Sequence, residues 1–299
     1  MKITMKYHSI QIQSEQDSDI DTLLQDLHQS KKARYLLYQN KQLYLNGNLC
    51  KQNQLITKND EVQIHLPDET LSSIPPDFTE LSICYEDELL LAVNKPSHLL
   101  VHSDGVDTSH TLCNRVQGYY LMQGITAPVR PLHRLDKETS GIVLFCKIPF
   151  FQPLLDHMMK EKQIQREYEA IVEGSIHQKK QTITYPIARD RHDARKMRVS
   201  ATGKHAKTTI TLQKNYGAYS WIHARLFTGR THQIRVHLAA LKHPLLSDSL
   251  YGTPSDKIHR LALHASLLTL QHPFTNQKIQ VTCEMPLTCE MPLDMKDLL

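Results

Sequence analysis

The apolar positions divide the chain into two stretches of different rhythm. Asp19-Ile-Asp-Thr-Leu-Leu-Gln-Asp-Leu27 spaces its apolar residues as a helix does, behind an acidic start, and a second short helix is predicted over Lys32–Gln39. Gln42-Leu-Tyr-Leu45 then alternates, Asn46-Gly47 signals a tight turn, and Glu61-Val-Gln-Ile-His-Leu66 alternates again, as half-buried strands do. Asp68 to Glu80, which holds Ser72, Ser73, Pro75 and Pro76, reads as a linker. A larger region of strands and helices begins at Leu81. Leu89–Val93, closed by Asn94-Lys95-Pro96, and Gly141–Cys146 are candidate buried strands. Glu167–Val172 alternates, Thr208–Leu212 and Ser220–Leu226 suit an antiparallel pair, and Phe151–Lys162 and Gln233–Leu241 suit helices.

Length changes little in this picture: 299 residues favour two domains and suffice for a core without covalent staples. Charge changes more. The net charge is +4, but residues 1–72 carry 8 Lys+Arg against 9 Asp+Glu, so the positive excess lies in the second stretch, where a polyanion would bind. The six cysteines show no paired spacing, which suits reduced thiols and a cytoplasmic protein. The N-terminus lacks the apolar stretch of a signal peptide, and no apolar run is long enough for a membrane helix. The hexad Thr-Cys-Glu-Met-Pro-Leu occurs twice in tandem, at Thr282–Leu287 and Thr288–Leu293, and its prolines favour an extended tail.

Four features could carry chemistry. In His133-Arg-Leu-Asp-Lys-Glu-Thr-Ser-Gly141, Asp136 stands between cations on a loop before an apolar strand; it either presents a carboxylate to a ligand or caps a turn. Thr228-Gly-Arg-Thr-His-Gln-Ile-Arg-Val-His237 puts Arg230, His232, Gln233 and Arg235 where a helix could begin, a place suited to anions, or else forms a charged helix face. Tyr168 lies in the alternating strand, and Lys95 closes the first buried one. The eighteen histidines show neither zinc spacing nor His-Glu-x-x-His, and no phosphate-binding glycine loop occurs, so neither a metal nor a nucleotide cofactor is expected.

Taken in order, these blocks resemble the RluA-type pseudouridine synthases. The family's H-R-L-D-x-x-T-S-G is met in full by His133–Gly141, and T-G-R-T-H-Q-I-R-V-H-L-A by Thr228–Ala239. Pro244-Leu-Leu, Asp248, Tyr251-Gly252, Gly203-Lys204 and Leu263-His264-Ala265 also match. The resemblance covers about residues 80–280. It implies an α+β pseudouridine-synthase fold with a mixed, mainly antiparallel sheet over residues 81–299. Residues 1–70 resemble an S4-like α/β RNA-binding module through Leu45-Asn46-Gly47 and Asp60-Glu61-Val62, with residues 71–80 as linker. His98, Lys242 and Ser247 stand where the family commonly has glycine, so strain or another turn geometry is expected there.

By this resemblance Asp136, Tyr168 and Arg235 are catalytic. The carboxylate works at the sugar, Arg235 opposes it, and Tyr168 stacks on the uracil. Arg134 fills the space left by a flipped uridine, and His133, Lys95, Arg230, His232 and Gln233 contact substrate. The implied partner is ribosomal or transfer RNA, acted on by a monomer without cofactor. A non-catalytic RNA chaperone of the same fold, and a metal-free nucleoside glycosidase, are the competing readings.

Overall fold

The computed structural model describes residues 2–6, 8–66, 74–254 and 258–286. Its first unit contains β1 (Lys2–Lys6), β2 (Ser9–Gln13), β3 (Ser18–Asp19), α1 (Ile20–Asp26), α2 (Lys31–Gln39), β4 (Leu43–Leu45), β5 (Asn48–Leu49), β6 (Leu55–Ile56) and β7 (Glu61–His65). Asp19 caps α1 by accepting the Thr22 N–H, and Ser30 caps α2 by accepting that of Ala33. The strands form an antiparallel sheet in the order β1-β2-β7-β4-β5. Asn46 and Gly47 both take positive φ (48° and 79°), the geometry that joins two strands by two residues. The Asn46 amide donates to Asp60 Oδ1 at 2.8 Å and accepts the Glu61 N–H at 2.9 Å. The Leu-Asn-Gly and Asp-Glu-Val segments therefore lock each other.

The second unit contains β8 (Ser82–Glu86), β9 (Leu90–Lys95), α3 (Leu112–Met122), β10 (Arg130–Pro131), β11 (Ser140–Cys146), α4 (Gln152–Lys160), β12 (Gln165–Glu173), β13 (Lys180–Ile183), β14 (Ile187–Arg189), β15 (Met197–Val199), β16 (Thr208–Asn215), β17 (Tyr219–Leu226), α5 (Gln233–Ala240), β18 (Leu263–Gln271) and β19 (Lys278–Thr282). Its main sheet runs β13-β16-β17-β12-β18-β11-β9-β8, with β10 beside β11 and β19 beside β18. Among its pairings only β11 with β18 is parallel. This is the expected mixed, mainly antiparallel α+β architecture. At the parallel junction Gly141 has φ 111°, and a Cβ there would stand 2.4 Å from the Ala265 carbonyl oxygen. Only glycine lets the two strands meet just behind the Asp136 loop.

One apolar cluster runs through both units, from Ile10, Leu24 and Ile64 to Leu90, Leu144 and Phe151. Gln29 Nε2 donates to the Phe150 carbonyl at 2.7 Å, and the His28 and His157 rings stack 3.8 Å apart. Of the linker, residues 71–73 lie outside the described residues. Its later part runs along α3, with the Asp77 N–H donating to Asn114 O. Of the tandem hexads, Leu287 and the whole second copy lie outside the described residues; in the first copy Met285 is buried beside Ile171 and Leu246. His98, Lys242 and Ser247 all take the left-handed conformation, with φ of 62°, 63° and 60°. The turns that favour glycine keep their shape here and carry the strain. Among the described residues no helix is long and apolar enough to cross a membrane.

Candidate active site

Asp136 opens a turn that leads into β11, and the Thr139 N–H closes that turn on the Asp136 carbonyl at 3.1 Å. The chain after β9 clamps it from behind. Lys95 Nζ donates to the carbonyls of Pro96 (2.9 Å), Leu99 (2.7 Å) and Lys137 (3.1 Å), and Ser97 Oγ donates to the Glu138 carbonyl at 2.6 Å. Lys95 is fully buried, and burial pulls its ammonium down to about 7 against the carboxylates of Asp136 and Glu138. Lys95, expected to contact RNA, here spends its hydrogen bonds on the backbone carbonyls that hold the turn.

Arg235, on α5, faces the turn. It is 1% exposed and forms a fork with the fully buried Asp248, Nε to Oδ2 at 2.8 Å and Nη2 to Oδ1 at 2.7 Å. Its remaining nitrogen, Nη1, stands 3.7 Å from Asp136 Oδ2 and 3.5 Å from Glu138 Oε2. Asp248 thus fixes the guanidinium, and Nη1 is shared between Glu138, the nearer carboxylate, and Asp136. His232, the left-handed residue that starts α5, brings Nε2 to 3.9 Å from Asp136 Oδ1. Its Nδ1 lies 2.8 Å from the Tyr251 hydroxyl, which itself accepts the Met197 N–H at 2.7 Å. A phenol that donates to Nδ1 would leave the ring hydrogen on Nε2 toward Asp136. Burial holds His232 below the usual histidine range, against the pull of Asp136.

Tyr168 enters from β12, flanked by the small residues Ala224 and Ala265 on the neighbouring strands. It is buried, and its hydroxyl makes no hydrogen bond among the described residues. Burial raises its pKa, so it is a neutral phenol. Tyr168, Asp136, His232 and Arg235 line one cleft of about 690 Å³, with Leu226, Ile234 and Leu263 as apolar wall. Arg134 also lines it, exposed and without a partner among the described residues, and borders a second lobe of about 470 Å³. Arg230 is exposed at the rim, with Nε donating to the His205 carbonyl.

Two further expected contacts border the cleft but spend their hydrogen bonds within the protein. His133 is buried and accepts the Leu144 N–H at Nε2; burial lowers it to about 3, so it stays neutral. Gln233 accepts from Thr228 Oγ1 and the Arg230 N–H and donates to Lys207 O and Thr208 Oγ1, so all its capacity shapes the loop. Asp248 and Tyr251, matched in the sequence without a role, are the groups that orient Arg235 and His232. Glu138, His102 and Arg166 were not singled out at all.

A carboxylate facing a fixed guanidinium, beside a buried tyrosine in a cleft lined by cations, suits work on an anionic ligand with a flat ring. Comparison with known proteins makes this specific. The sequence matches the family described as RNA pseudouridylate synthase over residues 89–240. It is 39% identical to an uncharacterised RNA pseudouridine synthase of Bacillus subtilis (strain 168), YhcT, over 86% of this chain and 84% of that one. It is 30% identical to the ribosomal large subunit pseudouridine synthase D of Escherichia coli (strain K12), over 96% of this chain and 91% of that one. The structure resembles that of human RNA pseudouridylate synthase domain containing 1, with a TM-score of 0.59 and 26% identity, over 71% of this chain and 86% of that one. The chain belongs to the RNA pseudouridylate synthase family, in its RluA-type branch, and is an isomerase.

Proposed function

We propose that this enzyme converts specific uridines of ribosomal or transfer RNA to pseudouridine, with Asp136 as the catalytic carboxylate. The observation that carries the reading is the placement of Asp136 3.7 Å from the held prong of Arg235, in the cleft that also presents Tyr168. The reaction breaks the N1–C1′ bond, turns the base and joins C5 to C1′; the C5 proton leaves and N1 gains one. The Asp136 carboxylate either adds to C1′ or removes the 2′ proton. Arg235 balances its charge, Tyr168 stacks on the uracil, and the uncommitted phenol is at hand for the C5 proton. A uridine in a helix must flip out to reach this depth, and the unpaired Arg134 guanidinium supports the vacated space.

The basic rim supports an RNA partner. Residues 187–207, which include β14 and β15, hold seven Lys+Arg against two Asp, and this segment is tied to the site through Met197 and Tyr251. For the domains we propose an S4-like unit over residues 1–70, a linker over 71–80 and the catalytic unit over 81–299. The caps of α1 and α2 and the Asn46–Asp60–Glu61 lock support the first of these. Large-subunit ribosomal RNA labelled with [5-³H]uridine tests the activity: tritium release with pseudouridine as product is expected. Free uracil would mean a glycosidase, and binding without release a chaperone.

A further inference from the structure

The cations of the cleft are not equivalent. Arg235 is held by Asp248, and Arg230 Nε is held by the His205 carbonyl. The Arg166 guanidinium is held by nothing: it makes no side-chain hydrogen bond or ion pair with any described residue. It lies on β12 two residues before Tyr168, so the strand's alternation sends both toward the cleft, and both line it. Glu167 between them faces the other way and pairs with His223 at 2.8 Å.

Arg166 is half-buried, and the Thr228–Thr231 loop closes on it; a Cβ at Gly229 would stand 3.2 Å from its Nη2. Its positive charge adds to burial in keeping His133 neutral. Lys160, which ends α4, and Lys162, just beyond, line the same cleft and are exposed. Among the described residues that line the cleft Asp136 is the only acid, and it faces Arg235. A partly desolvated guanidinium with no counter-charge is costly unless a ligand supplies one. Uracil is neutral at neutral pH, so in RNA that charge resides in the phosphodiester.

We propose that Arg166, Lys160 and Lys162 form a phosphate subsite that grips the RNA backbone beside the flipped uridine, on the α4 side of the cleft. The proposal rests on the reading that this cleft receives the target uridine. In it, Arg166 contacts the strand and leaves the chemistry to Asp136. The contact is the same in the bound and transition states, so its loss raises KM and spares kcat.

The test is full-length protein carrying Asp136→Asn, binding a fluorescein-labelled single strand of about 20 nucleotides that contains uridines. Affinity is followed by anisotropy from about 50 to about 300 mM salt. Each lost phosphate contact on a single strand flattens the plot of log K against log salt by about 0.7. Arg166→Gln should flatten it by about 0.7, Lys160→Gln/Lys162→Gln by about 1.4, and Arg166→Lys should restore most of the parent slope. The two lysines are exposed, so their double variant folds and keeps the test open should Arg166→Gln misfold. Parent slopes in the Arg166→Gln and double-lysine proteins overturn the proposal. So does loss of kcat at unchanged KM and slope when Arg166→Gln is placed in the active enzyme, which would put Arg166 on the base. Because binding is read without turnover, an active Asp136→Asn protein would sink the catalytic reading and leave this result standing.

Discussion

Asp248→Asn tests whether the site depends on how Arg235 is held. The substitution keeps the shape and removes the charge. Of the two fork contacts, 2.8 Å and 2.7 Å, one then places an amide N–H₂ against a guanidinium N–H. Both residues are essentially unexposed, at 1% and 0%, so water cannot replace the lost partner. Removing one member of a buried ion pair costs about 3–5 kcal/mol. An Asn carbonyl in the place of Oδ1 keeps one fork contact together with the Leu250 and Tyr251 N–H groups, so the lower end, about 3 kcal/mol, is expected. For a protein of this size that is a fall of roughly 5 °C in Tm. Catalysis falls as well, because Nη1 faces Asp136 only while the other two nitrogens are gripped. A misplacement of about 1 Å costs on the order of 100-fold in rate. Thermal melts followed by circular dichroism and single-turnover tritium release read the two effects separately. A protein with unchanged Tm and turnover within twofold of the parent would refute the account of Arg235.

Lys95 carries a pH signature. Its folded value of about 7 lies below the usual 10.4, so between these the unfolded chain holds more protons and stability climbs with pH. Comparing urea unfolding of wild type and Lys95→Met, the stability difference should move in favour of wild type by on the order of 2 kcal/mol from pH 7 to pH 9; parallel profiles would disprove a depressed Lys95. The left-handed residues offer a gain. His98→Gly and Lys242→Gly should each raise stability by about 0.5–1 kcal/mol, because relief of the left-handed strain outweighs the extra freedom of the unfolded chain. Melting points unchanged or lowered in both would show that these turns are unstrained.

The parts of the site that were legible in the sequence are contiguous. Asp136 and Arg235 each sit in a dense run of charged and turn-forming residues, and each run begins or ends an element. What joins them was not legible. Asp248 follows a short apolar stretch and reads as a turn former, and its fork to Arg235 exists only once the chain after α5 folds back. Cations and amides beside a motif usually face outward, whereas Lys95, His133 and Gln233 spend hydrogen bonds on neighbouring backbone and threonine groups, which the sequence does not reveal. Arg166 was overlooked because the next residue but one is the aromatic that drew attention.

The same logic holds for the elements. The alternation of Lys2-Ile-Thr-Met-Lys6 and Ser9-Ile-Gln-Ile-Gln13 marks β1 and β2, which the predicted elements, beginning at Asp19, do not include. α3 was missed because most of its faces are buried and Gly118 interrupts it, so neither an apolar stripe nor a helix-forming composition marks it. β18 gave no period either: it lies mid-sheet and is buried on both faces through His264 and Ala265.

The most direct test of the central claim is Asp136→Asn, assayed by tritium release from [5-³H]uridine RNA beside the wild type, with RNA affinity measured on the same preparations. The account predicts no detectable turnover and an affinity within a few-fold of the parent. Turnover at the wild-type rate would contradict it and place the chemistry on another group.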